Sequence, residues 1–476
     1  MSRFKGSKPA PRGGVSQSTV GVLPPLPKPA MRPASTIPAP AASHGPTPVR
    51  RAGMPGSIRQ SDLDNPLRKL GLYLAITFIF CRFTLLGELV STKLNFDPHI
   101  VRILGIPTVA LAVLTGGLWR VLRSRLAYAW LGLVIWMLLS APLSYWPGGS
   151  GSLILSFVRG QLPMLLIVGG LVLTWRECRL VLMSMALACV VNVLSAKFFA
   201  FSQDTDTRLS LELGTIGNAN DFTAHLLFVL PMVVFVLVIS DGKWVRRILC
   251  LGVLGYGLYI CAATGSRGGL VAFAAAFIFI LVRARGRVRI GAMIATALMF
   301  LLVLAVLPQS MLQRYATLFT NDTEDREAVE STATRAHLLR SSIQFTLQHP
   351  IFGVGPGEFS DYEAAYAKSE GKRAAWQVTH NAYTQVSSES GIPALLFFLA
   401  AIVMSFRTFG RVYRAARARP ELQSMAMACF CCQLSMVGFC TAIIFLSLAY
   451  TIYLPTMSGL AMAFSRSLDL ELAGRS

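Results

Sequence analysis

Long, continuously apolar runs broken by short polar connections dominate this chain from residue 69 onward. Most of the runs are about 17 to 25 residues long, the length of helix that crosses a bilayer core of roughly 30 Å. A spanning strand needs only about ten residues of alternating polarity, so the pattern predicts helices and excludes a β-barrel. Twelve such helices are expected, near 69–91, 101–121, 126–146, 152–175, 178–201, 216–240, 245–263, 266–283, 289–307, 385–407, 422–447 and 450–465. The predicted architecture is therefore an all-α polytopic membrane protein. A large, partly helical loop at 308–384 separates the ninth and tenth segments.

Composition agrees with this pattern. Of 476 residues 54% are hydrophobic and 14% charged, where soluble domains carry roughly a quarter charged residues. The net charge of +21 raises the question of nucleic acid, and its distribution answers it. Every second connection is basic: Arg120, Arg123 and Arg125; Arg176 and Arg179; Lys243, Arg246 and Arg247; Arg283, Arg285, Arg287 and Arg289; and Arg407, Arg411, Arg414, Arg417 and Arg419. The alternate connections are acidic or poor in basic residues. This is the positive-inside pattern of a membrane protein with both termini in the cytoplasm, and it accounts for the charge without a nucleic-acid partner. The expected organisation is a disordered, basic, Pro-rich cytoplasmic tail at 1–66, helices one to nine at 67–307, the outer loop at 308–384, helices ten to twelve at 385–465 and a short cytoplasmic tail at 466–476. Residues 1–60 hold no apolar run of signal-peptide kind. The nine cysteines lie in or beside the apolar runs and read as small apolar residues, implying neither disulfide nor metal.

Ionisable groups inside spans are candidates for function, because each costs several kcal/mol on insertion scales. With this orientation Arg82, Arg159 and Lys197 fall in the outer halves of their segments. Arg267 opens the eighth from outside, and Arg208 lies in an outer loop. At 1.5 Å per residue Arg82 sits roughly 13 Å below the outer end of its span, too deep for easy snorkelling. Glu88, six positions on, would face another way from a continuous helix, so the alternative to a functional Arg82 is a structural one, bonded to helix carbonyls or paired with Glu88 through a rearrangement. The outer side thus holds an excess of cations suited to an anionic ligand such as a lipid phosphate or pyrophosphate. Snorkelling of Lys197 and Arg159 to headgroups is the alternative.

Four polar segments on the same side stand out. Gly214-Thr-Ile-Gly-Asn-Ala-Asn-Asp leads into the sixth helix, where Asn218, Asn220 and Asp221 can cap it. Ala263-Thr-Gly-Ser-Arg-Gly-Gly is a tight turn in which Arg267 stands beside a helix N-terminus, a setting that favours phosphate. Residues 334–359 read as an amphipathic helix with Arg335 and Arg340 on its polar surface, then a glycine-rich turn, His-Pro-x-x-Gly-x-Gly-x-Gly-x-Phe. Finally His380-Asn381, nine residues and Gly391 lead into the tenth helix. His225 is expected to be hydrogen-bonded between helices, His337 and His349 to be structural, and Glu389 to be either a partner of the site or an interfacial acid. Asp204 and Asp206, and the acidic run 321–330, lack the context of metal-binding loops.

These four segments, in this order, resemble the O-antigen ligase and O-antigen polymerase family of bacterial envelope enzymes over roughly residues 200–410. Where the family pattern carries a second glycine three positions after Gly391, this chain has Ala394. The resemblance implies an inner-membrane glycosyltransferase that needs no metal or other cofactor. It would pass a glycan with inversion from undecaprenyl pyrophosphate to an acceptor hydroxyl at the periplasmic face. It implies His380, Arg267 and Arg335 as catalytic residues. Arg82, Arg159, Arg208, Asn218, Asn220, Arg340 and Asn381 would be substrate-binding. His380 would accept the hydroxyl proton or orient the acceptor. The acceptor could be a glycolipid, as for a ligase; a second glycan, as for a polymerase; or a protein. A transporter or flippase for lipid-linked sugars is the rival from another class, but it predicts repeated helix groups and midplane charges, and neither is seen. The orientation predicts that a topology reporter placed after Ser331 reads as extracytoplasmic. A cytoplasmic reading would overturn the assignment of sides.

Overall fold

The structure is a computed structural model, and it describes residues 60–199, 201–202, 209–210, 216–240, 244–284, 286–306, 309, 326–372, 374 and 376–474. Arg208, Asp204, Asp206, 321–325 and most of the predicted N-terminal tail lie outside these residues. Each of the twelve apolar segments is helical over most of its length. Among the described residues seven helices are long and apolar enough to cross a membrane, or eight if one bent pair counts as a span. The helices are α1 (Gln60–Asp64), α2 (Pro66–Phe83), α3 (Leu86–Leu94), α4 (Ile100–Leu114), α5 (Gly117–Leu122), α6 (Arg125–Ser140), α7 (Pro147–Ser156), α8 (Pro163–Leu171), α9 (Trp175–Phe199), α10 (Ala219–Val238), α11 (Trp244–Ala263), α12 (Arg267–Arg283), α13 (Arg287–Val306), α14 (Arg326–Gln348), α15 (Phe359–Ser369), α16 (Ala382–Arg417), α17 (Gln423–Ala442) and α18 (Tyr453–Ala473). A two-residue antiparallel pair, β1 (Phe201–Ser202) with β2 (Leu209–Ser210), is the one exception to an all-helical chain among the described residues.

Several expected boundaries change for local reasons. The first segment is two helices, because Leu85 takes φ 55° and bends α2 from α3 by 56°. The second stops at Leu114, where Thr115 and Gly116 (φ 78°) separate α4 from the short α5. The helix α1 lies within the stretch expected to be disordered tail. All nine cysteines are free, seven of them buried.

The core is formed by α10, α17 and α18, whose inward faces bury Phe222, Phe228, Phe235, Phe439, Leu460 and Phe464. Around it α11, α12 and α13 show apolar side chains outward, among them Ile248, Leu249, Leu251 and Leu298, as helices do when their other solvent is lipid. The C-terminal carbonyls of α8 meet three arginines: Arg466 donates to Gly169 and Val172, Arg120 to Gly170, and Arg68 to Leu171. Those carbonyls have no intrahelical partner, and cations favour that end of the helix dipole. Arg68 is fully buried and also pairs with Glu177 at 2.9 Å.

The long helix α16 is interrupted at Gly391, with φ 85° and ψ 173°. Pro393 has no N–H to return to the Glu389 carbonyl, and the Ile392 N–H turns instead to the Pro350 carbonyl at 2.8 Å. The freed carbonyls of Ser388 and Glu389 accept the N–H groups of Val354 and Gly355, at 2.8 and 2.9 Å. Segment 349–358 is thus threaded against the break. It is held from the other side by α6 and the turn after it, where Trp136 donates to Ile351, Ser140 to Phe352, and the Tyr145 N–H to Val354. A Cβ on Gly391 would lie 2.0 Å from the Ile351 carbonyl oxygen, and one on Gly353 would lie 2.3 Å from the Glu389 carbonyl carbon. The backbone at Gly391 is in a region that glycine alone occupies readily, at about 1–3 kcal/mol for other residues. Gly391→Ala is therefore expected to lower the thermal midpoint of the detergent-solubilised protein by several degrees. An unchanged midpoint would show that the interlock contributes little.

Candidate functional site

The sequence before α10 builds a compact anion-like corner. Asn218 caps α10 by accepting from the N–H groups of Asn220 and Asp221, while its own amide donates to Asp221 at 3.0 Å. Its role in this structure is that of a cap. A few ångströms of chain away in space, Gly265 (φ 62°) turns α11 into α12, and Ser266 caps α12 by accepting the Gly269 N–H. Thr223 and Thr264 hydrogen-bond at 2.6 Å and join α10 to this turn. The glycines serve a close approach, but to protein: a Cβ on Gly269 would stand 2.4 Å from Thr223, and one on Gly268 2.9 Å from Phe445.

A small depression forms where these N-termini meet. Asn220, Ser266, Gly268, Gly269, Phe445 and Arg335 all line it. Arg335 arrives from α14, outside the bundle, and its charge acts on both Asp221 and His380. Arg267 is the first residue of α12 at the same turn. Asn220 and Arg335 line the depression, Arg267 lies between two of its lining residues at the turn, and Asp221 and His380 stand within electrostatic range of Arg335. Among the described residues no three His, Cys, Asp or Glu side chains are grouped so as to hold a metal ion.

His380 occupies a left-handed backbone position, φ 51°, immediately before α16. Asn381 caps that helix by accepting from Tyr383 and Thr384, so its carbonyl oxygen is committed to the fold. Thr379 donates to the Asn381 carbonyl at 3.0 Å and meets Ser447 at 3.0 Å. His380 is pinned between these contacts and remains half-buried. Burial first, and the Arg335 guanidinium second, push its pKa down to about 4. The ring is neutral at physiological pH.

Arg82 is buried beside this corner rather than inside it. It donates to Gln161 at 3.0 Å and lies 3.9 Å from Glu88. The expectation that Glu88 faces elsewhere is corrected: the bend at Leu85 swings α3 until Glu88 reaches back to α2. Arg82 and Glu88 also line a cavity of about 250 Å³ with Asp97, His99 and Arg102. The Tyr453 hydroxyl lies within electrostatic range of Arg82, Glu88 and Asp221, and it meets His225 at 2.9 Å. His225 contacts Asn192 at 2.7 Å, an interhelical network of the kind expected for it. Tyr453, Gln161 and Asn192 were not singled out from sequence. The available signal was weak, a polar residue within each apolar run.

The other candidates fall elsewhere. Arg159 is exposed on a π turn, Phe157–Gln161, and Arg340 is exposed on α14. Arg208 is outside the described residues. His337 meets Glu363 at 3.2 Å and His349 meets Tyr362 at 3.0 Å, so both join α14 and its following turn to α15. Glu389 is buried and accepts the Gly357 N–H at 2.9 Å, which makes it part of the interlock at Gly391.

Residues 252–399 match the O-antigen ligase family model. These residues carry the O-antigen ligase family assignment. The matched segment contains the Arg267 turn, Arg335, the glycine-rich stretch, His380 and Gly391. The match, which spans part of the chain, supports an enzyme of the glycan-transferring ligase and polymerase type. No curated protein matches the chain.

The His380 value has a testable consequence. Its folded pKa of about 4 lies below the ordinary 6.5, so the neutral ring contributes stability that is present above pH 6.5 and lost as pH falls toward 4. An NMR titration should place His380 near 4. Arg335→Gln should raise that value without restoring 6.5, because burial is the larger cause. A wild-type midpoint between 6 and 7 would contradict the buried, cation-flanked setting.

Proposed function

We propose that this protein transfers a glycan from undecaprenyl pyrophosphate to an acceptor hydroxyl at the periplasmic face of the inner membrane, with inversion and without a metal, as an O-antigen ligase-like enzyme. The observation that carries the reading is the placement of Arg335 in the depression at the N-termini of α10 and α12, beside the Arg267 turn and within electrostatic range of His380, all three residues inside the segment that matches the family. Twelve spans, with the loop at 308–384 outside, are part of the same proposal.

The chemistry follows from the residue types. The acceptor oxygen attacks the anomeric carbon of the donor, the bond from that carbon to the pyrophosphate oxygen breaks, and the pyrophosphate leaves with the bonding electrons. Negative charge grows on the leaving group, and two guanidiniums beside helix N-termini are suited to stabilise it. Attack from the face opposite the leaving group inverts the anomeric centre. The acceptor proton must go elsewhere.

Neutral His380 has a lone pair to orient the acceptor hydroxyl, but with a pKa near 4 it is a weak base in the free protein. Donor binding changes that balance. A pyrophosphate on Arg335 offsets the charge that depresses His380 and adds an anion nearby, and both effects raise the affinity of the ring for a proton. His380 would then become an effective acceptor only when the donor is in place.

The test is transfer by purified protein from an undecaprenyl-pyrophosphate-linked glycan, without added metal, to three acceptors in parallel: a lipid A core, a second lipid-linked glycan, and protein. Arg335→Ala, Arg267→Ala and His380→Ala should each lower the rate by about 100-fold or more, the scale of losing an oxyanion-type donor or a general base. Undiminished transfer in the Arg335 and His380 variants would remove the site. No transfer to any acceptor, beside measurable sugar-lipid movement across vesicles, would favour a transporter.

A further inference from the structure

A second cationic cavity lies at the opposite end of α16 from His380. His380 precedes the first residue of this helix and Arg411 stands near its last turn, so at 1.5 Å per residue the two are roughly 40 Å apart along the chain. The cavity, about 250 Å³, is lined by Arg120, Arg123, Arg411 and Arg466, with Asp62 and Ser465 among its polar neighbours.

Part of this charge is used by the fold. Arg120 and Arg466 reach the α8 carbonyls, as described above, and Arg120 also pairs with Asp62 at 3.5 Å. Arg411 donates to Ser465 at 2.8 Å and has Asp469 within electrostatic range. Arg123 stacks on Trp119 at 5.6 Å. The balance is nonetheless one-sided: against four guanidiniums in the lining stands Asp62, with Asp469 beside Arg411. Two buried donors, Arg120 Nη2 and Arg466 Nε, have no hydrogen-bond partner. Capping of α8 explains two of the arginines. It does not explain Arg123 and Arg411, which complete the cavity from α5 and α16 without touching α8 carbonyls.

We infer that this cavity binds a phosphate-class anion. Arg120 Nη2 and Arg466 Nε are buried without a partner while Arg123 and Arg411 are exposed, and an anion among the four would satisfy the orphaned donors and offset the clustered charge. Several guanidiniums around one concavity fit a phosphate better than a single carboxylate, because each planar fork can share its oxygens. Trp119, largely exposed on the same short helix, marks a membrane-interface depth, where basic pockets between helices take lipid headgroups. The ligand chemistry is common to a lipid phosphate headgroup and to free phosphate, and the two sources separate by experiment. This inference does not rest on the transfer reaction.

Full-length protein would be studied with an Arg123→Gln/Arg411→Gln variant and with Arg407→Gln/Arg414→Gln, two exposed arginines of the same helix end outside the cavity. One arm follows the thermal midpoint in detergent with inorganic phosphate against chloride at matched ionic strength. The other counts phospholipid retained by native mass spectrometry from nanodiscs of phosphatidylcholine with or without phosphatidylglycerol. Wild type and the Arg407/Arg414 variant should show a phosphate-dependent rise, preferential retention of phosphatidylglycerol, or both, and the Arg123/Arg411 variant should lose the effect several-fold. Retention without a phosphate response assigns the lipid source, and a phosphate response alone assigns a soluble anion. The inference is overturned if wild type shows neither effect, if the Arg123/Arg411 variant keeps both, or if the Arg407/Arg414 variant loses as much. If the double variant fails to fold, Arg123→Gln alone is carried through the same two arms, and an unchanged response in it overturns the inference.

Discussion

The contact between the backbone of 350–355 and the break in α16 holds the catalytic candidates in relation to one another. Arg335 belongs to α14, which leads directly into that segment, while His380 precedes the helix that the segment grips. The interlock acts together with a direct contact between the two helices, where Thr346 of α14 meets Ser387 of α16 at 2.8 Å. Backbone hydrogen bonds across the break carry most of the interlock, and the glycines at 353 and 391 are there because a Cβ would enter the facing carbonyl group. The position of a cation against an imidazole is thus set by main-chain geometry one layer away.

Much of the scaffold was legible in the chain, and the reason is the bilayer. A run of apolar residues in lipid must satisfy its own backbone, so helix location follows almost directly from hydropathy. Helix interruptions did not follow in the same way. Leu85 takes a left-handed conformation that no local signal announces, and that bend is the rearrangement by which Glu88 reaches Arg82. Gly391 was noted as part of a motif, but its work is to accept segment 349–358, which only the folded chain brings near. Asn218 illustrates the opposite case: its capping role is readable from residue type and position, and its side chain caps α10, whereas Asn381, expected at the substrate, also caps its helix.

Electrostatics divides the molecule between its two ends. At the His380 end, cations come from α12 and α14 and stand by helix N-termini, a setting that favours a negative ligand, with Asp221 opposing it. At the Arg411 end the cations meet helix C-termini instead, and part of their charge is matched by the α8 carbonyls. The same residue type is therefore proposed as an anion receptor at one end and serves first as a cap at the other. The difference lies in which end of a helix the guanidinium meets.

The spacing from His380 to Gly391 acquires a mechanical meaning from the helix between them. Nine helical residues, Ala382 to Ser390, separate the left-handed His380 and the Asn381 cap from the break at Gly391, about two and a half turns at 3.6 residues per turn, and this fixes the azimuth at which the break leaves the helix. The motif length is a rotational phase. One residue added between them would turn Gly391 away by about 100° while leaving the Asn381 cap intact, uncoupling the docking of segment 349–358 from the direction in which His380 points.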